Sequence, residues 1–180
     1  MRINMVASRR EGTFGVHMYL TKTIELIVYD FDGVMTDNTA LLSEDGKESA
    51  VVNRGDGLGV KMIKDALGIK QVIISSEANP IVAFRGNKLG VDVLYNVKDK
   101  KAAMEKYCAD NEISLKNALY IGNDINDYDA MQASGFRACP SDAEEEIIAI
   151  SGMIFNAKGG RGVVRELYRA LSKISIDEVS

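Results

Sequence analysis

The stretch that decides the fold is residues 24–37, which read IELIVYDFDGVMTD. Its first six residues are mostly apolar and predict a buried strand. Asp30 and Asp32 follow directly, and because side chains alternate along an extended chain, both carboxylates project to the same side. Buried carboxylates are costly without a cationic partner. The pair therefore predicts a site of chemistry at the carboxyl end of this strand, where parallel α/β sheets bind their ligands.

Composition excludes several classes of function. The chain has 180 residues, of which 46% are hydrophobic and 27% charged, and this fits an ordinary globular core. Its net charge of −4 offers no basic field for nucleic acid. His17 is the only histidine, and Cys108 and Cys139 lack zinc-site spacing, which excludes Ser-His-Asp catalysis and zinc sites. Since no membrane span or secretory signal core is evident, we expect a cytoplasmic protein with no membrane partner.

The first 22 residues differ from the rest. They hold four basic residues against one acidic residue and show no sustained hydrophobic period. Residues 1–22 are therefore expected to be a leader or a disordered arm, and Met18 could be the true start. We expect residues 23–180 to form a single domain.

Beyond residue 24, apolar strands alternate with amphipathic helices, which predicts a parallel sheet with helices on both faces. Asp56 is the expected N-cap of the first helix. Segments 39–42 and 48–52 flank the turn SEDG and predict a small β-hairpin. The expected fold is a doubly wound, Rossmann-like α/β three-layer sandwich with a hairpin flap. The predicted strands are 24–29, 71–75, 92–95, 118–121, 136–139 and 153–155, and the predicted helices are 57–67, 80–89, 99–111, 125–133, 142–150 and 163–173.

Further polar residues lie at the ends of other predicted strands. Ser75 closes one strand, Lys100 opens a helix, and Gly122–Asp127 reads GNDIND after another strand. The carboxyl ends of parallel strands converge on one crevice. There we expect Mg²⁺ to be held by a carboxylate of the first strand and by oxygens of the GNDIND turn. Lys100 and Ser75 suit a tetrahedral phosphate, so the set predicts phosphoryl transfer.

DFDGVMTD, Ser75, Lys100 and GNDIND resemble, in order and approximate spacing, the four motifs of the haloacid dehalogenase superfamily. The resemblance covers about residues 24–173. It implies a phosphatase in which Asp30 binds the metal, attacks phosphorus and forms an aspartyl-phosphate. It also implies that Asp32 protonates the leaving oxygen, later deprotonates the attacking water, and binds Mg²⁺ through its backbone carbonyl. Ser75 and Lys100 would hold the phosphoryl oxygens.

Spacing narrows the resemblance to one group. Only 37 residues separate Asp37 from Ser75, and 24 separate Ser75 from Lys100, so no cap domain is expected and the site should be open. Such family members accept macromolecules or borrow a neighbouring subunit as a lid. The chain is similar to the 3-deoxy-octulosonate 8-phosphate and nonulosonate 9-phosphate phosphatases, which are tetramers, and this implies a homotetramer here. The similarity lies in the hairpin near 39–52, NRGDGLG at 53–59 and KGGRGVVREL at 158–167.

Four residues bear on the substrate. Enzymes of this group for the eight-carbon acid tend to have an arginine after the second motif, where this chain has Glu77. Arg85 and Lys88 lie three apart on one helix face and could meet a sugar carboxylate, while Glu77 could accept from hydroxyls. The favoured substrate is a nonulosonate 9-phosphate, such as N-acylneuraminate or KDN 9-phosphate, followed by 3-deoxy-octulosonate 8-phosphate. Arg161 either belongs to a flexible turn or reaches the substrate carboxylate.

The fourth motif departs from the family pattern. It commonly begins Gly-Asp-Asp with the first aspartate on the metal, and here that residue is Asn123. An amide oxygen can bind Mg²⁺ but brings no charge, and Asp124 could substitute. Similar Gly-Asn versions occur in the domain of this fold appended to acylneuraminate cytidylyltransferases. A weakly active or non-catalytic oligomerisation domain, associated with such a cytidylyltransferase, is therefore the competing hypothesis. Catalysis is favoured because the other motif residues all remain.

Overall fold

The central strand explains the unbroken apolar run that opens the domain. The structure is a computed structural model that describes residues 24–176. The expected leader or arm at 1–22 lies outside the described residues. The first strand, β1 (Leu26–Tyr29), is buried at every position. A strand that is covered on both faces needs apolar side chains on both, so its residues do not alternate with polar ones.

The strands form one large sheet and one small hairpin. The remaining strands are β2 (Leu41–Leu42), β3 (Glu48–Ser49), β4 (Lys70–Ile74), β5 (Asp92–Leu94), β6 (Ala118–Ile121), β7 (Phe136–Cys139) and β8 (Met153–Ile154). Six of them are parallel in the order β5-β4-β1-β6-β7-β8. Val28 lies between Val72 and Tyr120. The chain builds outward from β1 to β5, then returns to the other side of β1. This reversal puts the ligand-binding crevice at the carboxyl ends of β1 and β6.

Helices cover both faces of the sheet. They are α1 (Arg54–Leu67), α2 (Ile81–Leu89), α3 (Lys100–Asp110), α4 (Tyr128–Ala133), α5 (Glu145–Ile150) and α6 (Val163–Ile176). Ile27 and Tyr29 pack with residues of α1, α2 and α6, whereas Leu26 and Val28 pack with residues of α3, α4 and α5. Each fully buried aliphatic side chain contributes about 1.5–3 kcal/mol. None of the helices within residues 24–176 is long and apolar enough to cross a membrane. The predicted three-layer α/β fold is confirmed.

The hairpin is shorter than predicted. Leu41 and Leu42 pair with Glu48 and Ser49 only, and Leu41 is 73% exposed. Because neither face of the hairpin is buried, side-chain packing does not extend the pairing. Within the described residues no cap domain is evident, as expected from the short spacing of the motifs.

The N-terminus of α1 corrects one prediction. Asn53, rather than Asp56, caps this helix, since its Oδ1 accepts from the N–H groups of Gly55 at 2.6 Å and Asp56 at 3.2 Å. Asp56 lies buried in the first turn, and its carboxylate accepts from the N–H groups of Gly162 at 3.1 Å and Arg165 at 3.0 Å. The prediction was wrong because these donors lie more than a hundred residues away in sequence.

The GNDIND turn corrects a second prediction. Ile125–Asp127 forms a 3₁₀ turn, and α4 begins only at Tyr128. The Oδ1 atom of Asp124 accepts from the N–H of Ile125 at 2.6 Å, while Oδ2 of Asp127 accepts from the N–H of Asp124 at 3.3 Å. These reciprocal bonds tighten the turn. The tight turn directs the Asp127 carboxylate inward.

Candidate active site

The carboxyl end of β1 places both aspartates beside one cavity. The N–H of Asp30 donates to the carbonyl oxygen of Ile121 at 2.9 Å, so pairing with β6 continues one residue past the strand. The Asp30 side chain is buried and Asp32 is half-buried. The cavity has a volume of about 250 Å³. Its lining combines residues that follow β1, β4 and β6 with the start of α3: Asp30, Asp32, Asn38, Ser75, Ser76, Glu77, Lys100, Asn123, Asp124 and Asn126.

Lys100 lies between two buried carboxylates. Its Nζ is 2.8 Å from Oδ1 of Asp30 and 2.8 Å from Oδ1 of Asp127. The Tyr120 hydroxyl donates to Oδ1 of Asp127 at 2.9 Å, and the N–H of Asn123 donates to its Oδ2 at 3.0 Å. We call Asp30, Lys100 and Asp127 the buried floor. Asp127 was not among the site residues predicted from the sequence, although its position at the end of the acidic GNDIND turn was an available signal.

The buried floor shifts the acidity of its members. Burial raises the pKa of Asp30 well above its usual range, and repulsion from Asp127 raises it further, while Lys100 opposes both. Burial lowers the pKa of Lys100, but the attraction of the two carboxylates outweighs burial and the net pKa is raised. Lys100 is therefore an ammonium ion at neutral pH, shared by two carboxylates. A second cation near Asp30 would favour its charged form.

Asp32 is oriented by a threonine from the same loop. The hydroxyl of Thr36 donates to Oδ1 of Asp32 at 3.0 Å. Burial raises the pKa of Asp32, and the Thr36 hydrogen bond opposes that rise. A carboxyl with a raised pKa suits a group that gives and takes a proton during a reaction. The role of Thr36 was not predicted from the sequence, although this residue lies within DFDGVMTD.

Ser75 is fixed at the end of β4. Its N–H donates to the carbonyl oxygen of Leu94 at 2.9 Å, and its own carbonyl accepts from the N–H of Val97 at 3.1 Å. Its Oγ accepts from the N–H of Glu77 at 3.1 Å. That bond uses the hydroxyl oxygen as an acceptor, so the O–H can still donate to a ligand in the cavity.

Asn123 faces Asp30 and the backbone of Asp32. One terminal atom of its amide lies 2.7 Å from the carbonyl oxygen of Asp32 and 3.2 Å from Oδ2 of Asp30. If the amide nitrogen occupies that position, it donates to both oxygens. If the amide oxygen does, its distances to these two oxygens are close to the edge of about 2.9 Å expected of an octahedron around Mg²⁺. We call these three groups the oxygen cluster, and they fit a hard divalent cation.

Two neighbouring residues shape the oxygen cluster. Gly33 has a φ of +83°, and a Cβ there would lie 2.0 Å from the Asn123 amide, so only glycine fits. Asp124 turns instead to the N–H of Ile125, so Asn123 is the residue that faces the two aspartates after β1. In the described part of the chain no three His, Cys, Asp or Glu side chains could together hold a metal. The oxygen cluster is not such a set, because two of its three oxygens come from an amide side chain and a main-chain carbonyl.

Comparison with known proteins decides the family. Residues 58–167, more than half of the chain, match the family model of the haloacid dehalogenase-like hydrolases. The chain belongs to this family. The matched residues begin inside α1 and do not include Asp30 and Asp32. The geometry of these two aspartates is therefore independent of the family match.

Relatives of this haloacid dehalogenase-like hydrolase include named phosphatases. The 3-deoxy-D-manno-octulosonate 8-phosphate phosphatase of Yersinia pestis is 30% identical over 145 residues, covering 80% of this chain and 77% of that protein. The crystal structure of the Moraxella catarrhalis phosphatase of that name, in complex with magnesium ion, phosphate ion and a KDO molecule, aligns with a TM-score of 0.83 and 28% identity, covering 89% of this chain and 92% of that chain. These matches confirm the predicted phosphomonoesterase class.

A third relative belongs to another class of protein. The N-acylneuraminate cytidylyltransferase of Oncorhynchus mykiss is 28% identical over 161 residues. The aligned part covers 87% of this chain but only 37% of that longer protein. This hydrolase is thus similar to one portion of a cytidylyltransferase.

Of the four expected substrate contacts of this hydrolase, only Glu77 lines the cavity. Nη2 of Arg85 donates to a backbone carbonyl at the start of α1 at 2.9 Å. Lys88 is exposed on α2 and is not among the lining residues. Arg161 pairs with Asp37 at 2.9 Å. The helix spacing was read correctly, but α2 packs beside α1 instead of over the cavity, so a single chain does not bring these cations to it.

Proposed function

We propose that this protein is a Mg²⁺-dependent phosphatase that hydrolyses a 2-keto-3-deoxy sugar acid phosphate through an aspartyl-phosphate on Asp30. The observation that carries the proposal is the environment of the Asp30 carboxylate. Oδ1 contacts Lys100, and Oδ2 belongs to the oxygen cluster. Positive charge on both sides would let a carboxylate approach a phosphate dianion. The magnesium and phosphate ions in the Moraxella catarrhalis relative support this reading.

The first step transfers the phosphoryl group to the protein. A carboxylate oxygen of Asp30 attacks phosphorus, and the bond between phosphorus and the sugar oxygen breaks. The Ser75 hydroxyl and Lys100 hold phosphoryl oxygens. Asp32 gives its proton to the departing oxygen, so the sugar leaves as an alcohol.

The second step regenerates the carboxylate. Water attacks phosphorus, Asp32 takes a proton from it, the bond to Asp30 breaks, and inorganic phosphate leaves. Asp32 is then protonated again, as it was at the start. A bound Mg²⁺ would be held by Asp30, the Asp32 carbonyl and Asn123, and would offset the negative charge of the phosphoryl group.

Glu77 supports the longer of two substrate classes. A groove of about 200 Å³ adjoins the cavity beside the hairpin, and Glu77 lines both. The polyhydroxy chain of a nonulosonate 9-phosphate would run into this groove, where its hydroxyl groups would donate hydrogen bonds to the Glu77 carboxylate. This nine-carbon class is our first choice. The names of the Yersinia pestis and Moraxella catarrhalis relatives support 3-deoxy-octulosonate 8-phosphate as the second.

Phosphate release from both sugar acid phosphates, with Mg²⁺ and with EDTA, tests the proposal. We expect Mg²⁺-dependent release that Asp30→Asn abolishes. Glu77→Arg should lower kcat/KM for the nine-carbon substrate more than for the eight-carbon one, about tenfold, because it replaces a hydroxyl acceptor with a donor. Glu105→Arg, on the exposed side of α3, is the matched charge control. Full activity of Asp30→Asn would sink the mechanism, and equal effects of Glu77→Arg on both substrates would sink the assignment of Glu77.

Asn123 and the cytidylyltransferase similarity favour a second candidate function. An uncharged residue in the oxygen cluster weakens metal binding. The chain could then serve as a weakly active or non-catalytic assembly domain for an acylneuraminate cytidylyltransferase. Absence of phosphate release from any phosphomonoester with Mg²⁺, together with co-elution with a cytidylyltransferase, would support it. In both cases we propose a homotetramer, which light scattering would test and which the exposed Leu41 and Leu42 support.

A further inference from the structure

Two loops meet behind the cavity. We call residues 30–37 the nucleophile loop and residues 157–162 the glycine loop. The N–H of Gly160 donates to the carbonyl oxygen of Val34 at 3.0 Å. A Cβ at Gly159 would lie 2.2 Å from a backbone oxygen of the nucleophile loop, and one at Gly160 would lie 2.6 Å from a backbone carbon there. The contact is backbone against backbone, so a shift of one loop moves the other.

Asp56 holds the far end of the glycine loop. Its carboxylate is 3% exposed and accepts from the N–H groups of Gly162 and Arg165, at 3.1 and 3.0 Å. Gly162 lies just before α6 and Arg165 lies in its first turn, where N–H groups have no partners within the helix and favour negative charge. Asn53 adds a second bond, since its Nδ2 donates to the carbonyl oxygen of Gly160 at 3.3 Å. The phosphatase mechanism uses neither side chain.

Thr36 connects the nucleophile loop to the proposed acid/base. Its Oγ1 donates to Oδ1 of Asp32 at 3.0 Å and accepts from the N–H groups of Gly33 at 3.4 Å and Asn38 at 3.3 Å. The glycine loop covers the backbone of Thr36. The orientation of the Asp32 carboxylate therefore depends on where the glycine loop holds Thr36.

We propose that Asp56 is a positioning residue for the acid/base Asp32. By anchoring the start of α6, it presses the glycine loop onto the nucleophile loop and keeps Thr36 in hydrogen-bonding range of Asp32. The inference rests on the proposed phosphatase function. Asp56 does not line the cavity, so its effect on the reaction passes through these backbone contacts.

Steady-state kinetics separate positioning from substrate binding. Asp56→Ala should lower kcat about tenfold while KM stays within about twofold, because misplaced groups slow the chemical step more than they weaken binding. Asp56→Asn keeps one acceptor oxygen and should recover part of that loss. Thr36→Val should lower kcat by a similar factor. The double variant of Asp56→Ala and Thr36→Val should be no slower than the slower single variant, since both act on one path.

Asp92→Ala is the control for simple loss of a carboxylate acceptor. Asp92 accepts from the Tyr107 hydroxyl at 2.6 Å. It is the first residue of β5 and so lies at the amino end of that strand, whereas the cavity lies at the carboxyl ends of the strands. It should leave kcat unchanged. Additive effects of Asp56→Ala and Thr36→Val, or an equal fall in kcat for Asp92→Ala, would overturn the proposal.

Amide hydrogen exchange tests the same link without a substrate. The N–H groups of Met35 and Thr36 donate to the carbonyl oxygen of Phe31 at 2.9 and 3.1 Å. In Asp56→Asn, which is the milder change if Asp56→Ala does not fold, these amides and that of Gly160 should exchange about tenfold faster than in wild type. Unchanged exchange would overturn the proposal whatever the activity. If these amides exchange faster in Asp56→Asn while the wild-type protein releases no phosphate, the link between the loops is supported and the phosphatase function is refuted.

Discussion

The buried floor of the cavity contrasts with its rim, which we define as Asn38, Glu77 and residues 41–49 of the hairpin. The floor residues Asp30, Lys100 and Asp127 are at most 4% exposed, whereas Leu41 on the rim is 73% exposed. Every charge on the floor contacts an opposite charge at 2.8 Å. The rim residues are all exposed, and in the described part of the chain the strands of the hairpin pair only with each other.

This contrast shows how much of the site one chain can build by itself. In a low-dielectric interior an unpaired charge is so costly that its neighbours are strongly constrained. Exposed groups are screened by water and gain little from any one arrangement. The buried floor is therefore complete within this chain, while the geometry of the rim depends on what binds there.

Removing the cation of the buried floor should have the largest effect. Lys100→Met leaves Asp30 and Asp127 buried without their shared cation, and we expect a loss of about 3–5 kcal/mol in the free energy of unfolding. Lys101→Met is the matched control on the same helix, because Lys101 is about half exposed and lies 4.0 Å from Glu105. Urea denaturation of both variants measures the difference. Similar losses in the two would contradict the distinction between floor and surface.

Restoring a charge to the oxygen cluster should have the next largest effect. Asn123→Asp adds a carboxylate beside Asp30 and should tighten Mg²⁺ binding about tenfold, or about 1.4 kcal/mol. Asn126→Asp adds the same charge elsewhere in the cavity lining and controls for general electrostatic attraction. Titration calorimetry with Mg²⁺ measures both affinities. An equal gain in Mg²⁺ affinity for the two variants would show that residue 123 does not contact the metal.

The third prediction concerns pH. Since the pKa of Asp30 is raised in the folded protein, the folded state holds this proton more tightly than the unfolded state, and stability falls as pH rises between the two pKa values. Asp30→Asn removes that loss. In EDTA the variant should be more stable than wild type at pH 7 by about 1 kcal/mol, with the difference shrinking toward about pH 4.

Urea denaturation at several pH values measures this difference. Asp129→Asn, at an exposed carboxylate of α4, should show no such trend and serves as the control. A variant of Asp30 that is less stable than wild type at neutral pH would show that the Lys100 contact outweighs the cost of burial.

The smallest effect is expected at the periphery. Arg161 pairs with Asp37, and the Arg161 side chain is 64% exposed. Arg161→Ala should change the melting temperature by less than about 2 °C, because water screens this pair. KM should also be unchanged, since the guanidinium does not line the cavity. A large rise in KM would instead show that Arg161 reaches the substrate.

The central strands β1, β4 and β6 were predictable because they are buried on both faces and therefore read as apolar runs. The predicted bounds of β6 (Ala118–Ile121) and β7 (Phe136–Cys139) match those observed. Local capping was harder, as Asp56 shows, because its carboxylate found donors in a distant element. The start of α4 also shifted, since Asp124 and Asp127 tightened the preceding turn.

The sequence by itself determined the parallel α/β class and the convergence of Asp30, Ser75, Lys100 and Asn123, because parallel strands bring their carboxyl ends together whatever the details of packing. Only the tertiary structure decided the roles of the remaining groups. It turned Asp127 toward Lys100, set Thr36 against Asp32, and kept Arg85, Lys88 and Arg161 away from the cavity. Those outcomes depend on which helix faces pack together and on which buried groups must find partners, and residues far apart in the chain make those contacts.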